Sequence, residues 1–482
     1  MARLFIGGLL MKRLFVCFAA ACCAVCAAAS SVPFPPLEPA FEISSASSKS
    51  LSPSELIRAA LLFSGCTEDS AGFSESFSVY QKLEAAVSSS QFMSLDEEER
   101  AEAVLSLMYE QVLVRYRENA SRMDEMLCSG IYNCVSSSVL YYALATAAGI
   151  SVAAQRTPEH SFCTAVLSNG TRIDVETTNP MGFSPGKRRP VSSSSYYVVP
   201  KKKYSGRHEI SGRQLAGLIA RNRCSLAMTR NDYETAVPLA AVRMRFMEED
   251  ESKTADDSRA DFFLVCSNYS AYLQGQSKFE DAVIWLEQAA NRWNGHELLQ
   301  KQYDGALFNA AAVKCNAGQY KEAAEFYEPR KDSVSLSAQK NIEAAIFMAT
   351  VQGESRKMDD DSAISYLAEK LASMKSGTKD YRQVHSLLEV RWHSKITAAA
   401  QEFGWLEAAG LCKDAVQSLP SSSRLKTLHA QCLRNYDAQV HNEFAMLANS
   451  GRTEEARAVL EKGLSANPSS RILARDLQSL VQ

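Results

Sequence analysis

Apolar residues recur with helical spacing along most of the chain, and several of these stretches begin with a capping pattern. We predict one helix capped by Ser52 in the stretch SPSEL, and another capped by Ser94 in SLDEEER, where Glu97 closes a capping box. The apolar stretch Tyr132–Ile150 predicts a third helix, which ends near Gly149 because glycine favours the left-handed C-terminal position.

After this helix the apolar period changes from helical to alternating spacing. Residues 150–156 and 160–167 alternate like β-strands. The sequence SNGT at residues 168–171 predicts a hairpin turn, and residues 172–178 form the returning strand. Helices followed by an antiparallel hairpin predict an α+β domain, which we place at residues 51–205.

From about residue 210 the chain is helical and repeats itself. Six blocks share a small or polar turn, an acidic residue and then an alanine facing the helix partner: Ala236, Ala282, Ala323, Ala363, Ala408 and Ala456. The blocks GQYKEAAEFY and GRTEEARAVLEKGLSANP resemble tetratricopeptide repeats. The alanines recur every 40 to 48 residues, whereas that family's period is about 34, so longer helices or connections are expected. We predict an all-α solenoid over residues 206–482, with an irregular helical bundle as the alternative.

Composition narrows the possible functions. The 482 residues are 46% hydrophobic and 22% charged, as in ordinary globular proteins of two or three domains. The net charge of −3 gives no reason to expect a nucleic-acid partner. The sequence contains no Gly-rich phosphate loop and no metal-ligand spacing, so it predicts neither a cofactor nor a metal ion.

The first residues have the pattern of a secretory signal peptide. Two basic residues precede the alanine-rich run Leu14–Ala29, which ends in small residues, and we place the signal peptide at residues 1–29. An uncleaved anchor is the alternative, although the run is short for a membrane span; a lipid on Cys22 or Cys26 would lack the large aliphatic residue expected three positions earlier. Residues 30–50, rich in proline and serine, predict a flexible lead-in. We expect an exported protein of the periplasm or cell envelope, soluble or tethered, with no further membrane-spanning segment.

Four side chains of the predicted α+β domain suggest thiol chemistry. Cys134 opens the third helix, where the positive end of the helix dipole stabilises a thiolate. His160 opens a strand, and Asp174 and Glu176 lie on the returning strand. A thiol, an imidazole and a carboxylate can act as a nucleophile, its base and the group that orients the base. Taken alone, Cys134 has a structural alternative, which is simple packing in the core.

The hairpin turn decides which acid lies closer to His160. With a two-residue loop, Asp174 points to the face opposite His160. With a three-residue loop and Gly170 in a bulge, Glu176 opposes Phe162, two positions from His160, and Asp174 lies two positions farther away. We favour Glu176 and keep Asp174 as the alternative.

These segments resemble the transglutaminase-like (papain-like) superfamily in its bacterial secreted form. The resemblance rests on YNCVSSSVLYYALATAAGI, then EHSFCTAV, then RIDVETTNPMGF, and covers about residues 124–183. It implies a transglutaminase/papain-like fold and an acyl-enzyme mechanism on amide bonds, with Cys134 as nucleophile and His160 as base. The family usually has Asp-Pro-Thr where this chain has the tripeptide ETT beginning at Glu176.

Two main functions follow as expectations. The first is an exported thiol hydrolase or transamidase that acts on a protein or peptidoglycan-type peptide, with repeats that bind the substrate or a protein partner. The second is a scaffold that keeps the fold without catalysis and binds proteins through its repeats, as the unusual DVETT sequence would suggest. Convergence of Cys134, His160 and an acid within hydrogen-bonding distance is the feature that favours the enzyme.

Overall fold

The computed structural model of the chain describes residues 33–43, 51–187, 189–250 and 257–480. The predicted signal peptide, residues 1–29, lies outside the described residues. In these described ranges no helix is both long enough and apolar enough to cross a membrane. The chain is mostly helical, with a small sheet region followed by a large all-helical part.

The first part of the chain combines six helices with two small sheets. Its elements are α1 (Pro53–Phe63), α2 (Ala71–Val87), α3 (Ser90–Met93), α4 (Glu97–Gln111), β1 (Arg115–Tyr116), α5 (Met123–Ser129), β2 (Ile131–Tyr132), α6 (Cys134–Ala147), β3 (Ser151–Arg156), β4 (Ser161–Val166), β5 (Arg172–Val175) and β6 (His208–Ile210). Strands β5-β4-β3-β6 form an antiparallel sheet in that order, and β1 pairs with β2 in parallel. Helix α6, which begins at Cys134, packs against the two central strands β3 and β4.

Of the two predicted helix caps, one is confirmed and the other is wrong. Ser52 caps α1, and its capping box with Glu55 is confirmed. The predicted cap at Ser94 is wrong, because the hydroxyl of Ser94 turns back to close the preceding helix α3. Asp96 caps α4 instead, and the carboxylate of Glu97 accepts hydrogen bonds from the N–H and the hydroxyl of Ser168 in the hairpin loop.

The hairpin β4–β5 has the three-residue loop of the second register. Thr164 lies opposite Asp174, and the Leu167 N–H donates to the Thr171 carbonyl oxygen at 2.9 Å. Gly170 has a φ of +83°, a conformation that costs a side-chain-bearing residue about 1–2 kcal/mol. The register predicted for a three-residue loop is therefore confirmed.

The remainder of the chain is a series of antiparallel helix pairs. The helices are α7 (Gly212–Thr229), α8 (Tyr233–Glu248), α9 (Ser258–Gly275), α10 (Phe279–Trp293), α11 (His296–Asn316), α12 (Tyr320–Tyr327), α13 (Leu336–Lys357), α14 (Asp360–Ala372), α15 (Lys379–Glu402), α16 (Trp405–Ser418), α17 (Ser423–Asn449), α18 (Thr453–Ala466) and α19 (Arg471–Ser479). Most of these helices pack mainly against the one before and the one after, as expected of a helical solenoid, and α13 packs mainly against α11 because α12 between them is short.

The repeated alanines have one structural role. Ala236, Ala282, Ala323, Ala363, Ala408 and Ala456 lie at the start of α8, α10, α12, α14, α16 and α18, the second helix of each pair, and all six are fully buried. A small side chain at this position lets the two helices approach closely. The first helices of the pairs are 18 to 27 residues long, which accounts for a repeat interval wider than about 34 residues.

The hydrophobic core continues across the predicted domain boundary at residue 205. Strand β6 completes the sheet, with Ile210 opposite Ala154. Helix α7 packs against α1 and α6, and its buried Leu215 and Ile219 belong to the same core as Leu56 of α1. The first helix pair is thus built onto the α+β part.

The segment predicted as a flexible lead-in packs against the body of the protein where the structure describes it. Within residues 33–43, the ring of Phe34 meets the ring of Trp285 edge-on at 5.6 Å between centroids, and Phe41 lies 6.4 Å from Phe63. Although this stretch is rich in proline and serine, its aromatic residues anchor it to both α1 and α10.

Candidate active site

Cys134 is the first residue of α6, and the cap before it fixes the backbone at this point. The side-chain oxygen of Asn133 accepts hydrogen bonds from the N–H groups of Val135 and Ser136 at 2.9 and 3.1 Å. The Ser136 hydroxyl in turn accepts from the Asn133 N–H at 3.0 Å. This reciprocal capping box satisfies most of the first turn and holds the thiol at the positive end of the helix.

A second set of hydrogen bonds ties the cap to α7. The side-chain NH₂ of Asn133 donates to the Ser121 hydroxyl at 2.7 Å and to the Glu118 carbonyl oxygen at 3.0 Å. Ser121 also accepts from the side-chain NH₂ of Asn222 on α7 at 2.8 Å. The first repeat helix is therefore linked to the residue next to Cys134 through two side chains.

His160 lies in the tight turn just before β4, which begins one residue after the predicted start. The Thr157 N–H donates to the His160 carbonyl oxygen at 2.8 Å and closes this turn. Only 5% of His160 is exposed, and its imidazole stacks on Phe162 at 6.0 Å between centroids. The imidazole is thus held in one orientation by backbone and ring contacts.

The imidazole of His160 is bound to a carboxylate and lies near the thiol. Its Nε2 is 2.7 Å from Oε2 of Glu176, while its buried Nδ1 has no hydrogen bond of ordinary geometry among the described residues. Burial alone lowers the pKa of His160, but the neighbouring Cys134 thiol and the Glu176 carboxylate outweigh it and raise the pKa to about 10, from an ordinary 6.5. An imidazolium is therefore favoured at neutral pH.

Glu176 is itself held by three hydrogen-bond donors besides the imidazole. The Tyr204 hydroxyl donates to Oε2 at 2.6 Å, and the Thr178 hydroxyl and N–H donate to Oε1 at 2.8 and 3.2 Å. Only 4% of Glu176 is exposed, so these donors replace the water that a carboxylate requires. Burial and the adjacent Glu176 charge raise the pKa of Tyr204 above its ordinary range, which keeps its hydroxyl a donor.

Asp174, the alternative acid, has other partners. The Thr164 hydroxyl donates to its Oδ1 at 2.8 Å, and an Arg207 N–H donates to its Oδ2 at 2.6 Å. One third of the Asp174 side chain is exposed. Of the two acids considered in the sequence, Glu176 is the one that contacts His160.

The threonine after Glu176 joins the acid-bearing segment to α6. The Thr177 hydroxyl lies 2.8 Å from the Ser137 hydroxyl and 3.1 Å from the Ser138 hydroxyl, and the Tyr109 hydroxyl donates to the Thr177 carbonyl oxygen at 2.9 Å. Both threonines of the tripeptide ETT thus have hydrogen-bonding partners in the site.

Two other cysteines close to Cys134 in sequence lie elsewhere. Cys163 is fully buried on the opposite face of β4, where its thiol donates to the Ser138 carbonyl oxygen. Cys128, considered in the sequence as a redox partner, is exposed on α5, with its sulfur 3.3 Å from the Ser76 hydroxyl. It does not line the cleft that contains Cys134, and it supplies a reference thiol for measurements on the same molecule.

Cys134 and His160 open into a cleft of about 680 Å³. One side is formed by the α+β part, including the stacked rings of Tyr116 and Tyr197, whose centroids are 4.8 Å apart. The other side is formed largely by α7 and the turn after it. The second side was not predicted from the sequence, because α7 follows the predicted domain boundary. Tyr204 was not predicted either, because KKKY has the composition of a solvated loop.

No protein-family model, curated protein or solved structure matches this chain. The resemblance to transglutaminase-like proteins and to tetratricopeptide repeats therefore stays an expectation from the sequence, and the arguments about function rest on the geometry of the site.

Proposed function

We propose that the protein is a thiol-dependent acyl-transfer enzyme of the transglutaminase-like type, which cleaves or transamidates amide bonds in a protein or peptide. The observation that supports this most strongly is the environment of the His160 imidazole: Nε2 is bound to Glu176, Nδ1 has no hydrogen bond among the described residues, and the Cys134 thiol is close enough to raise the pKa of the ring. A nucleophile, its base and the orienting acid occur in this order in thiol enzymes.

In the proposed reaction the imidazolium of His160 holds the proton given up by Cys134, and the thiolate attacks the carbonyl carbon of the substrate amide. The carbonyl oxygen becomes an oxyanion, while Glu176 stabilises the imidazolium through Nε2. The imidazolium then protonates the amide nitrogen, the C–N bond breaks, and the amine leaves a thioester on Cys134. Water or a second amine resolves the thioester and restores the thiol.

The first turn of α6 supplies a donor for the oxyanion. The N–H groups of Asn133, Val135 and Ser136 are used within the cap. The N–H of Cys134 takes no part in the cap, so it is available at the positive end of the helix next to the reacting carbon.

The helical array and the location of the protein belong to the same proposal. A solenoid presents an extended surface on which a protein partner or a long substrate can bind. The signal pattern at residues 1–29 supports export to the periplasm or cell envelope.

The alternative is a scaffold in which the α+β part has lost catalysis. The substitution of Glu176 for the aspartate of the family favours it. The hydrogen bonds of Glu176 to His160, Tyr204 and Thr178 weigh against it. A site that no longer catalyses a reaction does not require a buried carboxylate with all these hydrogen bonds.

Acylation by p-nitrophenyl acetate tests the proposed chemistry without knowledge of the natural substrate. We expect a burst of p-nitrophenolate equal to the protein concentration, and mass spectrometry should find the acetyl group on Cys134. Turnover that accelerates with an added primary amine indicates transamidation, whereas turnover by water alone indicates hydrolysis.

The matched control is Cys134→Ser, which should abolish the burst and leave acetylation of the exposed Cys128 unchanged. Acetylation of Cys134 no faster than that of Cys128, with no turnover, would favour the scaffold instead.

A further inference from the structure

The cleft next to Cys134 has an excess of basic side chains. Six basic and three acidic residues line it: Arg122, Arg156, Lys203, Arg221, Arg223 and Arg230 against Glu118, Glu159 and Asp232. The whole chain has a net charge of −3, so this local excess of positive charge is not a consequence of composition. Three of the six basic residues come from α7 and its C-terminal cap.

Ion pairs account for four of the six basic side chains. They are Arg122 with Asp124, Arg156 with Asp257, Lys203 with Glu159 and Arg221 with Asp261. Arg223 and Arg230 have no ion pair within the described part of the chain. Of the three acids in the cleft, Glu159 pairs with Lys203, Glu118 is close enough to act on the same lysine, and Asp232 caps α8 by accepting from the Thr235 N–H.

Arg223 carries its charge in an unfavourable setting. It is half-buried, and one of its N–H groups donates to the carbonyl oxygen of Phe63. Burial, and next the charge of the nearby Arg122, lower the pKa of Arg223. Asp124 forms its ion pair with Arg122, so a bound anion would offset the charge that Arg223 carries beside it.

Arg223 and Arg230, with Arg122 beside them, form a basic wall of the cleft, and this wall is fixed relative to the Cys134 thiol. Asn222, the residue before Arg223, donates to Ser121, which also accepts from the Asn133 side chain at the start of α6. The wall and Cys134 are thus parts of one hydrogen-bonded unit. Because α7 also packs against α1 and α6, the wall does not depend on a mobile contact.

We propose that the wall formed by Arg223 and Arg230, with Arg122 beside them, binds a carboxylate of the peptide substrate while its scissile amide lies at Cys134. The position of the amide rests on the proposed function; the anion-binding wall does not. The protein would then prefer acidic peptides, and the carboxylate would come from an acidic side chain or from a free C-terminus.

The experiment compares the alkylation of Cys134 by iodoacetate, an anion, with its alkylation by neutral iodoacetamide. Both reagents consume the same thiolate, so the ratio of the two rates cancels the thiolate fraction and reports the local potential. We expect this ratio to be several-fold higher at Cys134 than at Cys128 in low salt, and to fall as salt screens the charges.

Charge-removing variants assign the effect to the wall. Arg223→Gln and Arg230→Gln should each lower the ratio at Cys134 about twofold, the effect that Coulomb's law gives for one charge about 10 Å away in water. Arg230 is exposed, so its variant tests the wall even if Arg223→Gln does not fold. Arg382→Gln, an exposed residue on the distant α15, is the charge-matched control and should leave the ratio unchanged.

The possible results of the alkylation experiment have different consequences for the anion-binding wall and for the thiol chemistry. A ratio at Cys134 equal to that at Cys128, or one unaffected by both wall variants, overturns the proposal. A raised ratio on a slowly reacting Cys134 retains the anion-binding wall and instead contradicts the proposed thiol chemistry.

Protection of Cys134 from iodoacetamide identifies the source of the carboxylate. The probes are acetyl-Ala-Gln-Ala-Glu-amide, acetyl-Ala-Gln-Ala-Ala with a free C-terminus, and neutral acetyl-Ala-Gln-Ala-Ala-amide. Stronger protection by one of the first two supports the proposal and names the source. Equal protection, or equal lack of it, with all three overturns the assignment of the wall to a peptide carboxylate.

Discussion

The imidazole of His160 has two neighbours with different tasks in this site. Glu176 fixes the ring through Nε2, and the thiol of Cys134 is close enough to raise the pKa of the ring. Because both neighbours favour the charged imidazole, the pKa of His160 is raised even though burial opposes the charge. The imidazolium is then the form of His160 that the site favours at neutral pH.

This raised pKa predicts how stability depends on pH. A group that binds its proton more tightly in the folded state contributes stability that is fully present below the unfolded pKa, here 6.5, and is lost as the pH rises to the folded value of about 10. The difference in free energy of unfolding between wild type and His160→Gln should therefore shrink between these two pH values. Urea denaturation at a series of pH values measures it.

His208→Gln, the same change at an exposed histidine of β6, is the matched control. A His160→Gln difference that stays constant or grows with pH would contradict the charged pair.

At the scale of single residues, the sequence predicted those members of the site whose role depends on local position. Cys134 was found because it opens a helix, and His160 because it precedes a strand. Tyr204 and Asn222 could not be found in this way, since they reach the site from a loop and from a later helix through tertiary packing.

At the scale of elements, the hairpin β4–β5 shows what spacing can and cannot settle. The sequence left two loop lengths open. The two-residue loop turns Asp174 to the face opposite His160, whereas the three-residue loop places Glu176 opposite Phe162 and two positions from His160. Gly170 with its positive φ and the hydrogen bonds from Ser168 to Glu97 select the longer loop. The glycine was visible in the sequence, whereas the contact with Glu97 joins residues far apart in the chain.

The prediction that Ser94 caps α4 was wrong for a related reason. Ser94 and Asp96 both have the chemistry of an N-cap, and both precede acidic residues. The short helix α3 occupies Ser94, which leaves Asp96 to begin α4. A local pattern cannot choose between two adequate caps when the choice depends on the preceding element.

At the scale of the whole molecule, the first helix pair completes the α+β part. β6 covers an edge of the sheet, α7 covers α1 and α6, and α7 also forms one side of the cleft. The sequence separated the two parts by composition, because a change from strands to repeated helices marks a boundary. The hydrophobic core continues across this boundary, because the elements before and after residue 205 both contribute buried apolar side chains to it.

We therefore expect a fragment of residues 51–205 to lack a cooperative unfolding transition and a fragment of residues 51–250 to have one. The shorter fragment loses the burial of Leu215 and Ile219, worth about 2 kcal/mol each, and it exposes the faces of α1 and α6 that they cover. Thermal unfolding followed by circular dichroism distinguishes the two. A cooperative transition at the same midpoint in both fragments would show that the core ends at residue 205.

The measurement that tests the account most directly is the rate of Cys134 alkylation by iodoacetamide across the pH range, in wild type and in His160→Ala. Cys128 is the reference thiol in each sample. We predict that Cys134 reacts much faster than Cys128 at about pH 6, where an ordinary thiol is almost fully protonated, and that His160→Ala removes this advantage. A Cys134 that reacts no faster than Cys128 at this pH, and that is indifferent to the loss of His160, would contradict the proposed thiol–imidazole pair.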